Sequence, residues 1–145
     1  MMLFLLLAVL AGALLPVQTG INVQLRGLLG QPLAAALVSF LIGSVGLAAV
    51  AALMRVPFPL GTAWSRGLWW HWSGGLLGAA YIVGTVVLAP RLGAATLIAA
   101  LVAGQMIASL LVDHYGWVGF AEHPISPLRL AGAVLIVAGV VLVRR

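Results

Sequence analysis

Long apolar runs, broken by short clusters of glycine, proline and arginine, set the rhythm of this chain. Crossing about 30 Å of hydrocarbon takes roughly 20 helical residues. Five runs are apolar enough for this, at about residues 2–25, 33–54, 73–89, 94–112 and 128–143, the last being short. None alternates with the period of two that a barrel strand needs. Backbone polar groups in lipid must be satisfied within their own segment, so the runs predict helices. Gly27, Gly30 and Pro32 separate the first run from the second, and Pro57, Pro59 and Gly61 follow the second. Pro90, Arg91 and Gly93 predict a tight turn between the third and fourth, and Pro124 and Pro127 precede the fifth. Trp64, Trp69, Trp70 and Trp72 gather before the third run, and Tyr115 and Trp117 follow the fourth. Aromatic residues collect this way at a membrane–water boundary.

Composition sharpens the picture. Of 145 residues, 64% are apolar and only 6% are charged, against about 45–50% and about 25% in a soluble domain. Mean hydropathy is +1.25. A chain of this length has too little interior to hide that much hydrocarbon, which excludes a soluble globular fold, and a disordered one as well. The reading is an all-α integral membrane protein, a single transmembrane domain over residues 1–145. The opening MMLFLLLAVLAGALLP lacks the positive start of a signal peptide and runs on into Val17 and Ile21, so it reads as a retained helix. The net charge of +5 comes from seven Arg against Asp113 and Glu122. These arginines are scattered, with no basic patch for nucleic acid. Cysteine is absent, which removes disulfides and thiol chemistry.

Five helices put the termini on opposite sides. One side then holds Arg55, Arg66 and Arg129, and the other holds Arg26, Arg91, Arg144 and Arg145. The positive-inside rule reads the Lys/Arg difference between sides, and here it is a single residue that the terminal amine cancels. Two readings fit such a chain. A bias of one Arg suffices with help from lipid or partner proteins, or the chain inserts both ways and forms an antiparallel homodimer; the second is the expectation. Two opposed five-helix units make a ten-helix body with an inverted repeat, a recurring transporter plan with its site at the repeat interface.

Polar side chains inside the runs are candidates for that site, because they are costly in lipid. Gln18 and Asn22 are four apart in the first run, beside Thr19. Ser39 and Ser44 lie in the second, Tyr81 and Thr85 in the third, and Gln105 and Ser109 in the fourth. At about 1.5 Å per residue, Gln105 sits roughly 16 Å into its run and Tyr81 roughly 12 Å into its own. Gln18, Asn22 and Gln105 are expected to line a pocket, with Tyr81 and Phe40 as an aromatic wall. Ser39, Ser44 and Ser109 are also pocket candidates but suit helix–helix hydrogen bonding better. No charged residue is expected well inside a run. Asp113 and His114, at the end of the fourth, are candidates for gating or proton coupling. No catalytic triad, H-E-x-x-H or phosphate-binding loop is present, so no enzyme, metal or cofactor is expected. Gly132 and Gly139 share one face of a fifth run without polar groups, which suits packing against a second copy.

Several stretches together resemble a known family. They are Gly12…Pro16-Val17-Gln18-Thr19-Gly20-Ile21-Asn22, Leu29-Gly30-Gln31-Pro32-Leu33, Ser39-Phe40-Leu41-Ile42-Gly43, Gly74-Gly75-Leu76-Leu77-Gly78, Val87…Pro90-Arg91-Leu92-Gly93, Ala103-Gly104-Gln105 and Asp113-His114-Tyr115-Gly116. The likeness is to the five-helix YdcZ-like family of the drug/metabolite transporter superfamily and covers nearly the whole chain. Gly132, Leu135, Ile136, Gly139 and Val140 resemble the dimer-forming helix of small multidrug resistance proteins. The membrane-embedded Glu of those proteins has no counterpart here. The resemblance implies a multi-pass protein of the bacterial inner membrane that pairs with itself and exports a solute of unassigned identity. A secondary transporter of a small polar or amphipathic solute is therefore the expected function. A membrane scaffold subunit and a channel are the rival readings.

Overall fold

The computed structural model describes residues 1–144; Arg145, counted above for orientation, lies outside them. Six α-helices follow one another: α1 (Met2–Leu29), α2 (Pro32–Leu53), α3 (Leu60–Arg66), α4 (Gly74–Leu92), α5 (Ala94–Tyr115) and α6 (Pro127–Val143). Short 3-10 helices cover Trp69–Trp72 and Trp117–Gly119. Among the described residues there is no strand. Four helical stretches are long and apolar enough to cross a membrane, namely α1, α2, Trp69–Leu92 and α5. The fifth expected span, α6, is apolar but has 17 residues.

The helix ends follow from local chemistry. Gly27 stays inside α1, and it is Gly30 that takes the left-handed conformation, φ 74°, its N–H bonding back to the Arg26 carbonyl at 2.8 Å. Glycine accepts that conformation without penalty. Pro32 then opens α2 at a position where its missing N–H costs nothing. Gly93, with φ 76°, divides α4 from α5. Pro90 does not end α4 as expected but lies inside it. Pro127 opens α6, and the Ser126 hydroxyl before it accepts from the Arg129 N–H.

The chain forms two compact units, Met1–Pro90 and Arg91 onward. In the first, Ala36 of α2 packs with Ile82 and Val86 of α4, joined by Phe40, Tyr81 and Val83. Gly78 makes room for Phe40, since a Cβ there would stand 3.3 Å from the ring. Between α2 and α4 the tryptophans pack on one another, Trp64 on Trp72 with ring centroids 5.2 Å apart. In the second unit α5 and α6 pair, with Leu97, Ala103, Leu110 and Ala133 buried. Outside these contacts the helices are bare hydrocarbon: Leu3, Leu7, Leu10 and Leu14 are each more than half exposed. That is the surface of a protein whose solvent is lipid or another copy of itself.

Candidate functional site

Three polar residues of α1 recur at spacings of three and four, Thr19, Asn22 and Arg26. On a helix that spacing makes one face. The structure turns that face inward: Thr19 and Asn22 are buried, at 7% and 3% exposure, and Arg26 is partly buried. Gln18 lies round the edge of the face and is exposed. Arg26 was expected beyond the first span, yet α1 continues past residue 25 and carries it. Its Nη1 donates to the Val86 carbonyl of α4 at 3.1 Å. The reason is four residues further on. A helical carbonyl accepts from the N–H of the fourth residue after it, and for Val86 that residue is Pro90, which has none. The guanidinium supplies the missing donor, as neighbouring helices do for proline in membrane helices.

On α4, Thr85 is buried, and its Oγ1 donates back to the Ile82 carbonyl at 2.8 Å and is thereby satisfied within its own helix. Tyr81 and Phe40 both pack against the Ala36–Ile82–Val86 cluster. Among the described residues Tyr81 Oη is the buried side-chain polar atom without a hydrogen-bond partner. Ser39 is half-buried.

In the second unit Gln105 and Ser109 share one exposed side of α5. Asp113 and His114 sit in a clasp between α5 and α6. Arg129 of α6 pairs with the Asp113 carboxylate and donates from Nη1 to the His123 carbonyl at 2.8 Å. The His123 N–H reaches the Asp113 carbonyl at 2.7 Å, and the Ile125 N–H donates to His114 Nδ1 at 3.3 Å. One arginine thus ties a helix end, a loop and the next helix start. Asp113→Ala is expected to lower stability by only about 1 kcal/mol, because the pair is about a third exposed. It should also speed proteolysis between residues 116 and 126, which a limited digest of detergent-solubilised protein would show. On α6, Gly132 and Ile136 line a groove with Met106 and Leu110, Gly139 is half-buried, and Leu135 is 73% exposed. Among the described residues no three His, Asp or Glu side chains gather as a metal site requires.

Comparison with known proteins bears on this all-helical, amide-bearing chain over nearly its whole length. A family described as "Putative inner membrane exporter, YdcZ" matches residues 3–142. The chain belongs to that family. Its similarity extends to the Inner membrane protein YdcZ of Escherichia coli (strain K12), 33% identical over 140 residues that cover 93% of this chain and 90% of the relative. No solved structure matches the chain. Membership in the YdcZ family, together with the apolar helices, makes this an inner-membrane protein and points to transport. The Arg26–Val86 contact lies between two stretches that carried the family likeness, the span-one motif and the Pro90 motif. Sequence reasoning missed it by ending the first helix too early. The signal was present in the recurrence of polar residues at 19, 22 and 26.

Proposed function

We propose that two copies of the chain pair head-to-tail into a ten-helix body that exports a small polar or amphipathic solute by alternating access. The observation that carries this reading is the exposure of Gln18 and Gln105 on helices otherwise clad in hydrocarbon. An amide left in lipid without partners costs several kcal/mol, on the order of 2–7. Such groups belong against a water-filled cavity or another protein surface. A second copy supplies both when the chains are opposed, with an amide-lined hollow between them.

In that arrangement Gln18, Asn22 and Gln105 bond the solute, Ser39 and Ser109 add hydroxyls, and Tyr81 with Phe40 forms the wall. The unpartnered Tyr81 hydroxyl is the group with most to gain from a ligand. Asp113 and His114, clasped with Arg129, hold the outer end of α5 and gate access there. The α6 helices pack through Gly132, Leu135, Ile136 and Gly139. Leu128, Leu135 and Leu142 recur every seven residues and are each more than 70% exposed, which supports a helix face awaiting a partner.

In liposomes screened with metabolites and organic cations, efflux that depends on the wild-type protein should fall at least about tenfold in Gln18→Ala and in Asn22→Ala, the loss of roughly 1.4 kcal/mol of binding. Unchanged flux in both variants would remove the amides from the pathway.

A further inference from the structure

Arg26 has more to give than the Val86 carbonyl takes. A guanidinium carries five N–H donors and a fixed positive charge, and the contact with Val86 uses Nη1 alone. The chain's two carboxylates, Asp113 and Glu122, belong to the second unit, and Asp113 is taken by Arg129. The first unit holds no Asp or Glu, so within its own unit Arg26 is a partly buried cation with no acidic partner. A cation in that state is unstable unless an anion or water reaches it. Its own helix face is polar: Asn22 is one turn away, with Thr19 beyond it, and both are buried. Asn22 contributes two donors and Thr19 a third. A charge, an amide and a hydroxyl along one inward face match the oxygens of a carboxylate or a phosphate, which arginine binds two at a time.

We infer that Thr19, Asn22 and Arg26 form an anion site that takes a carboxylate or phosphate group. Under the exporter reading, on which this identity of the ligand rests, the solute is an anion or a zwitterion held by its negative end. The same chemistry is offered by a lipid phosphate, because Arg26 sits in the last turn of its helix, where a headgroup could reach.

The test uses inorganic phosphate as the probe and the full chain in nanodiscs. The thermal unfolding midpoint is followed by tryptophan fluorescence as chloride is exchanged for phosphate at constant ionic strength. A ligand that binds the folded state raises the midpoint. In phosphatidylcholine discs the wild type is expected to show a saturable rise, and Arg26→Met should need at least about tenfold more phosphate for half of it. Arg26→Met also strips the Val86 carbonyl of its donor and could unfold the helix pair. Pro90→Ala returns an N–H to that carbonyl, so Arg26→Met/Pro90→Ala isolates the loss of the cation. Pro90→Ala alone should respond as the wild type does, and so should Arg91→Met. A rise that appears only in discs containing phosphatidylglycerol, without added phosphate and dependent on Arg26, assigns the site to the lipid. If Arg26→Met/Pro90→Ala responds as the wild type, or Arg91→Met loses as much as it does, the site does not exist. Neither arm measures flux or subunit direction, so the anion site and the exporter reading stand or fall separately.

Discussion

Under the head-to-tail reading, Leu28→Lys with Gln31→Lys is expected to turn a population that inserts both ways into one that points a single way. Both positions are exposed at the turn between α1 and α2. In the proposed five-span topology the two sides differ by one arginine, so two added charges exceed the whole natural bias. Cytoplasmic retention follows the Lys/Arg excess near helix ends. A reporter cysteine, Ala121→Cys, sits in the exposed loop before α6 in a chain with no cysteine of its own. In the otherwise natural chain it should label from both faces of the membrane in comparable amounts. With the two lysines, labelling should come from one face in roughly nine molecules of ten. The opposite pair, Phe58→Lys with Leu60→Lys, should reverse the preferred face. Each locked variant alone should purify as a monomer, and co-expression of the two should restore the dimer. Labelling of the natural chain from one face only, or a stable dimer of one locked variant, would end the head-to-tail reading.

Arg26 and Pro90 are 64 positions apart, yet they are expected to behave as one thermodynamic unit. Arg26→Met should destabilise the protein by about 2 kcal/mol, since a charged hydrogen bond is lost and a buried carbonyl is left bare. Val86 is fully buried, so water cannot take the vacated place. In a Pro90→Ala background the carbonyl accepts from its own helix, and the same change should cost about 0.5 kcal/mol, the rest being packing. The coupling, about 1.5 kcal/mol, is near the top of the range for hydrogen bonds between membrane helices, which average about 0.6. Reversible unfolding in mixed micelles would measure it. Equal costs in the two backgrounds would mean that proline has no part in the contact.

The long helices were readable because lipid imposes one rule on every span, and the apolar runs locate them within a few residues. Their ends were harder. Gly27 and Gly30 look alike as helix breakers, but only Gly30 is followed by the extended Gln31 and by Pro32, and only Gly30 leaves the helix. The early stop placed at residue 25 hid Arg26. Pro90 reads as a breaker in water, yet a donor from another helix keeps α4 intact through it. The α3 helix was not visible, because seven residues packed through tryptophan show no periodicity. At the candidate site, a spacing of four said that Gln18 and Asn22 are neighbours but not which edge turns inward. Thr19 and Arg26 decide that, since they extend the buried face on the side away from Gln18. The partnership of Asp113 with Arg129 joins residues 16 apart, and only the return of the chain brings them together.

The helices of this protein differ in reach. At about 1.5 Å per residue the 28 residues of α1 extend roughly 42 Å, whereas the 17 of α6 extend roughly 25 Å. A bilayer with about 30 Å of hydrocarbon suits neither. The first must lean over to bury its ends, and the second, as the fifth span of the proposed topology, would draw the leaflets toward each other to expose Arg144 to the headgroups. In the proposed dimer a dent of that kind is relieved when two short helices share it, so membrane thickness itself would become a force for assembly. Thick, sterol-rich bilayers should drive the subunits together, and thin ones should let them drift apart.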